Sequence, residues 1–265
     1  MSTAKPGFLS AEYARQFQDR AVTDIYRMRP PYPAQTFEIL AGLLPDGNRH
    51  LLDLGAGTGE IAIPMARLSD SVTAVEPSAA MLRVAGTIPG GVDQRIAWIN
   101  CSAEAFDYPR RYGLTTCAQC LGWMDWDVVF PRFSAALDDA GYLAIISQSQ
   151  LTDPRWAADL TSLIAEYSTN QDFEPFNLID GLIERNLFDP VGRTRTVPMP
   201  FVQSIDDFVE SIHARNGFSK DRMAPDRCSA FDAAAKRLLR GYHNSGIIQG
   251  EITASVDWGK PLVSA

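Results

Sequence analysis

Asp53 followed by Gly55, Gly57 and Gly59, in the stretch "LLDLGAGTGE", is where residue types and spacing in this chain could do chemistry. The apolar run before them reads as a strand. Glycines in the turn that leaves it permit a tight bend and close backbone approach to a ligand. Such a turn alone serves either a dinucleotide or a ligand with an amino-acid end. The dinucleotide fingerprint asks for its third glycine three positions after the second, where this chain has Glu60. A carboxylate at Asp53 repels a pyrophosphate and attracts an ammonium, directly or through water. The turn therefore suits a zwitterion better than a dianion.

Glu76 closes the run "SVTAVEP", roughly 20 residues past the turn. A carboxylate there can accept both hydroxyls of an adenosine ribose, a spacing shared with nicotinamide-dinucleotide enzymes that specifies only adenosine. "NCSAEAFDYP" then offers Ser102, Ala103 and Glu104 to an adenine edge, with Ser102 as a plain helix cap the alternative. Further on, "CAQCLGWMDWD" brings Trp123, Met124 and Trp126, joined by Tyr13, Phe17, Tyr26 and Tyr32 from the N-terminal region. Either these pack a core, or they line a pocket for an apolar or aromatic molecule. Asp125 and Asp127 flank Trp126 without a third ligand, so no metal is expected there. The four cysteines include one C-x-x-C pair, Cys117 and Cys120, without the second pair of a structural zinc site, and read as buried thiols of a reducing compartment.

The elements that position these residues follow from pattern. "HLLDL", "SVTAVE", "RIAWIN", "YGLTTCA" and "GYLAIIS" read as strands separated by helix-length segments, which predicts a parallel sheet covered on both faces. Tyr13, Phe17, Ala21 and Ile25 recur every four residues and predict a helix over 11–27, before the break "RMRPPYP" and a second helix with Phe37, Leu40 and Leu44. Beyond Ser149 helices are expected near 154–167, 177–187, 204–212 and 227–241, with strands at "RTRTVPM" and "ITASVDW". The expected organisation is one domain: a helical cover over 1–48, a ligand-binding core over 49–150 and a helical insertion over 150–225 covering the carboxyl edge of the sheet.

Composition narrows the partner. The 265 residues are 46% apolar and 21% charged, enough for one sizeable core, and the net charge is −8. No Lys/Arg cluster forms the basic face a nucleic acid requires, and no apolar run approaches the ~20 residues of a membrane helix. With no signal-peptide pattern in "MSTAKPGFLSAEYARQ", a cytoplasmic monomer or homodimer handling a small molecule is expected, without nucleic acid or membrane.

Together, "LLDLGAGTGE", "VTAVEPSAAML", "CSAEAFDYP" and "CAQCLGWMDWDVVFPRFSAALDDAGYLAII" resemble the S-adenosylmethionine-dependent methyltransferases of the seven-stranded class I type, in their type 11-like branch. The likeness is good over about residues 22–150 and looser near the end. It implies an α/β, Rossmann-like, doubly wound sheet of order 3-2-1-4-5-7-6 with "ITASVDW" as the antiparallel last strand. It implies S-adenosylmethionine as cofactor and S-adenosylhomocysteine as product, with Ala56, Pro77, Met81 and Gln119 joining the residues above. "YRMRPPYP" is similar to an element that closes over the methionine end in relatives, so Tyr26 and Arg27, or Arg29, are candidates for that end. Relatives often carry a histidine where this chain has Gly122, which removes that base and leaves room for the acceptor. Of the three histidines, His50 and His243 lie away from the expected site, leaving His213 as the candidate base. A nicotinamide-dependent oxidoreductase and a non-catalytic cofactor binder are the competing readings.

Overall fold

A computed structural model describes residues 5–263, so the first four residues of the expected N-terminal cover lie outside it. The apolar runs form strands β1 (His50–Leu54), β2 (Ser71–Val75), β3 (Ile96–Ile99), β4 (Tyr112–Ala118) and β5 (Leu137–Gln148), each parallel to its neighbour. After them come β6 (Phe188–Arg195), β7 (Met199–Ser204), β8 (Ile247–Ile252) and β9 (Ala254–Pro261). The central sheet has seven strands in the order β3-β2-β1-β4-β5-β9-β6, with β9 antiparallel to both neighbours. This is the expected order, with the chain's last strand beside its fifth.

The helices are α1 (Ala11–Ala14), α2 (Arg20–Ile25), α3 (Ala34–Leu43), α4 (Ala62–Met65) and α5 (Ala79–Ala85) in the first half of the chain. α6 (Trp126–Ala136), α7 (Ala157–Tyr167), α8 (Leu178–Glu184), α9 (Ile205–Ile212) and α10 (Pro225–Arg240) follow. Several starts are set by capping side chains: Ser78, Asp125 and Ser204 accept from the amides of Met81, Asp127 and Asp207 at 3.3, 3.1 and 3.0 Å. No helix among the described residues is long and apolar enough to cross a membrane.

Alternation along β1 divides its side chains between two cores. Leu52 and Leu54 pack with Phe130 and Phe133 of α6 on one face, and Leu51 packs with Leu40 of α3 and Met65 of α4 on the other. A third core, built on Trp156, Phe208, Phe218 and Phe231, joins α7, α9 and α10 to the β7–β8 pair. Fully burying each such side chain contributes about 1.5–3 kcal/mol, which holds this satellite together.

Three expectations need correction. The helix over 11–27 is broken, because Asp19 takes an extended conformation (φ −65°, ψ 139°) between two short helical pieces. Its carboxylate is held by Arg222 at 2.6 Å and Ser219 at 2.7 Å, an anchoring to the satellite that outweighs one more helical turn. "RTRTVPM" and "ITASVDW" are not single strands. Each divides between the central sheet and the β7–β8 pair, near Pro198, which has no amide to donate, and at Thr253, whose amide and carbonyl turn to Ser149 at 2.8 Å. Finally, the segment 150–225, expected as a helical insertion with one strand at "RTRTVPM", supplies two strands: β6, the edge strand of the central sheet, and β7.

Candidate active site

The turn after β1 is built from left-handed backbone, with φ of +61° at Gly55 and +58° at Gly57. Gly55 is glycine because of its neighbour: a Cβ there would lie 2.6 Å from Cys120 Cβ, and the Cys120 thiol donates to the Leu54 carbonyl at 2.9 Å. The exits of β1 and β4 are thus packed together before any ligand is considered. The Gly57 amide donates to Glu76 Oε2 at 2.9 Å, and the Ala56 amide to the Val75 carbonyl at 3.1 Å, stitching the turn to the end of β2.

Glu76 is 6% exposed, and its other oxygen accepts from the Ser78 amide at 2.8 Å. Burial pushes its carboxyl above the ordinary range, with the two backbone donors opposing. Each oxygen keeps a further acceptor site, which fits a vicinal diol. Asp53 is more unusual. It is 1% exposed; Oδ1 accepts from the Thr116 hydroxyl at 2.7 Å, while Oδ2 is buried with no partner among the described residues. Burial, reinforced by Glu60 and Glu76 and opposed by the Thr116 hydroxyl and the Ala62 amide, raises its pKa to about 7. A buried oxygen lacking a donor fits an arriving cation.

Arg29, rather than Arg27, is the arginine turned inward. Its guanidinium donates to the Tyr26 hydroxyl at 2.8 Å and to Gln119 Oε1 at 2.7 Å, and Gln119 in turn donates to the Tyr32 hydroxyl at 3.2 Å. Arg27 is exposed at the rim. Gln119 itself has φ +57°, the strained residue that carries the chain out of β4.

These groups border two hollows. The larger, of about 1180 Å³, is lined by Tyr26, Gly55, Gly57, Glu76, Pro77, Met81, Ser102, Ala103, Glu104 and Gln119. Phe17, Trp123, Met124 and Trp126 line it too, with the Phe17 and Trp123 rings 5.6 Å apart. The smaller, of about 390 Å³, adds Arg27, Tyr32, Asp53, Ala56 and Gly59. Residues 102–106 form a turn, not a capped helix: the Ser102 carbonyl accepts from Ala105 and Phe106 at 3.1 and 3.0 Å, and Glu104 accepts from the Asp125 amide at 2.8 Å. Trp126 is 2% exposed and donates to the Leu121 carbonyl, so most of it belongs to the core.

Two expected members lie elsewhere. Tyr13 lines neither hollow and donates instead to Asp172 at 3.1 Å. His213 is fully buried in the satellite core, Nδ1 against the Phe218 carbonyl at 2.8 Å and Nε2 against Asp232 at 2.7 Å, so neither nitrogen is free to take a proton from a ligand. Cys228 Sγ lies 3.9 Å from Nε2, and these three side chains are the one cluster among the described residues with metal-ligand atoms gathered together. The room expected at Gly122 is filled by Leu9, whose methyls lie 3.4 and 3.5 Å from where a Cβ would stand. Asp125 caps α6 and Asp127 pairs with Arg185 at 2.7 Å, which accounts for both acids. The cysteines are free thiols. Sequence reading missed Phe8, Ile164, Phe173 and Arg215, which line the larger hollow from cover segments that carry no motif.

Comparison with known proteins agrees with this geometry. Residues 51–141, from β1 into β5, match the family model described as a methyltransferase domain. An uncharacterized methyltransferase of Mycobacterium tuberculosis is 27% identical over 181 residues, which cover 68% of this chain and 64% of that protein's length. A protein of Anaeromyxobacter dehalogenans described as a type II methyltransferase has the same fold, with a TM-score of 0.61 at 19% identity over 88% of this chain and 97% of its own. So does a methyltransferase of Thiobacillus denitrificans solved with S-adenosylhomocysteine, with a TM-score of 0.52 at 14% identity over 91% and 97% of the two chains.

Sheet order, glycine turn and acid-ended β2 define the class I S-adenosylmethionine-dependent methyltransferase fold. The chain has this fold, its residues 51–141 match a methyltransferase domain, and the chain spans less than two thirds of the length of the curated relatives it matches.

Proposed function

We propose that this protein transfers the methyl group of S-adenosylmethionine to a small molecule with an apolar or aromatic body. The observation that carries the reading is that one hollow of about 1180 Å³ is lined both by Glu76 and Met81 and by Phe17, Trp123 and Phe173. Pockets for one drug-sized molecule run to about 1,000 Å³, so this one has room for a cofactor and an acceptor together.

When bound, the cofactor supplies a methyl group on a positively charged sulfur, open to in-line displacement. Glu76 would hold the ribose hydroxyls, Asp53 the ammonium and Arg29 the carboxylate of its methionine end, with Tyr26 and Gln119 orienting Arg29. Gly55, Gly57, Pro77, Met81 and the 102–104 turn would enclose the adenosine. Phe17, Trp123 and Met124 would exclude water and align the acceptor. Alignment of this kind supplies on the order of 7–11 kcal/mol of rate acceleration without a base. Tyr13 and His213 are left out of this assignment.

The test is methyl transfer from isotopically labelled cofactor into fractionated metabolites, with calorimetric binding of S-adenosylhomocysteine. Truncating Trp123 to Ala is expected to raise the acceptor KM about tenfold or more, as loss of a buried aromatic contact does, and to leave the binding of S-adenosylhomocysteine nearly unchanged. Tight binding of nicotinamide dinucleotides with none of S-adenosylhomocysteine would refute the reading.

A further inference from the structure

The cations lining the larger hollow are not equally provided for. Arg185 is paired with Asp127 at 2.7 Å. Lys5 donates to the Met124 carbonyl at 2.8 Å and faces Asp125 and Glu104. Arg29 is held by Tyr26 and Gln119, and under the reading above it takes the carboxylate of the cofactor. Arg15, in the N-terminal cover, is exposed to water, which leaves Arg215. It is partly buried, in the loop that follows α9, and its guanidinium donates to Gln150 Oε1 just beyond β5. No carboxylate among the described residues lies within ion-pair distance of it.

The position of this cation is informative as well as its lack of a partner. Gln150 lies past the carboxyl end of β5, one strand beyond the β4 exit that carries Gln119, the partner of Arg29. The acids of the hollow, Glu76, Glu104, Asp125 and Asp127, belong to the ends of β2, β3 and β4, on the adenosine side. Arg215 lines the same hollow, as do the apolar side chains of Ile164, Ala165, Phe173 and Phe218. Burial, with the charge of Arg29 adding to it, depresses the Arg215 pKa to about 10, so it remains a cation at neutral pH in a place unfavourable to one. A guanidinium so placed, with one amide oxygen as its recorded partner, is short of an anion.

We propose that Arg215 is the recognition site for a carboxylate on the methyl acceptor, an organic acid whose apolar body rests against Ile164, Phe173 and Trp123. The inference rests on the methyl-transfer reading for the word acceptor. Its physical content, an anion subsite at the β5 end of the hollow, does not. One guanidinium with planar, paired donors matches a singly charged carboxylate. A phosphate dianion calls for a second buried cation, whereas Arg29 is already engaged and Arg15 is exposed.

The experiment measures, by calorimetry on protein saturated with S-adenosylhomocysteine, binding of a panel of straight-chain and aryl-substituted carboxylic acids, their primary amides and the corresponding alkyl phosphates. Acids are expected to bind and amides not. Arg215→Gln should weaken acid binding about ten- to hundredfold, as loss of a charge-assisted hydrogen bond does. Arg215→Lys should restore part of it. Affinity for S-adenosylhomocysteine should stay within about threefold in both variants, a check on folding and on the cofactor end. Equal binding of acids and amides, an acid affinity indifferent to Arg215→Gln, binding of phosphates in place of acids, or binding of no acid at all would each overturn the proposal. If the wild type binds no S-adenosylhomocysteine, the methyl-transfer reading falls, while the acid and amide arms on ligand-free protein still decide Arg215.

Discussion

Asp53 gives the sharpest test of how the site is built, because its role in binding and its cost to folding have opposite signs. Its pKa, 3.8 in an unstructured chain, is raised to about 7 by burial. At about 1.36 kcal/mol per pH unit, holding it ionised above pH 7 costs the fold about 4 kcal/mol. The sign follows from proton counting. Between about pH 4 and 7 the folded protein binds a proton that the unfolded chain has lost, so stability falls as pH rises through this window and is flat above it. Asp53→Asn keeps an acceptor for the Thr116 hydroxyl and removes the charge. Urea unfolding without ligand should therefore show the variant more stable than wild type by up to about 4 kcal/mol near pH 8, by about 2 near pH 5, and by almost nothing near pH 4. Cofactor binding should move the other way. The wild type should lose about tenfold in affinity for S-adenosylmethionine per pH unit below 7, where binding must expel the proton. The variant should bind weakly and without that pH dependence. A variant no more stable than wild type near pH 8, or one that keeps full affinity, would refute the reasoning.

Gly55→Ala adds a Cβ 2.6 Å from that of Cys120 to a backbone with φ of +61°, and thermal unfolding should show a loss of about 1–3 kcal/mol. Gly122→Ala, by contrast, meets only the Leu9 methyls at ordinary contact distance and should change stability by less than about 1 kcal/mol, with acceptor KM unchanged; a large rise in KM would return that space to the acceptor. His213→Ala should cost about 2–4 kcal/mol, because it opens a cavity in the satellite core and strands Asp232, while turnover per folded molecule keeps the wild-type pH profile. A pH-dependent loss of turnover would reinstate His213 as a base.

What the sequence disclosed and what it withheld divide along a physical line. Asp53, the glycines and Glu76 were readable because their demands are local: a turn needs left-handed backbone, and a strand end sets where a carboxylate stands. The sheet order was readable because five apolar runs at crossover spacing, with an antiparallel last strand implied by resemblance, leave few arrangements open. The acceptor side depends on contacts distant along the chain. Asp19 breaks the first helix because Arg222 and Ser219, some two hundred residues away, take its carboxylate. Before that break, α1 gives way to a 3-10 turn over Arg15–Gln18, and Tyr13 meets Asp172 while Phe17 lies against Trp123. Leu9 reaches back to occupy the space beside Gly122, and no periodicity encodes such a contact. The same holds for His213 and Arg215, two residues apart on the same loop, where chemical type alone favoured the histidine. Packing reverses the order: the histidine's nitrogens are both engaged in the core, and the arginine lines the hollow without a carboxylate. A residue's availability to a ligand depends on what its neighbours leave unsatisfied, and in the cover segments those neighbours are brought together only by the fold.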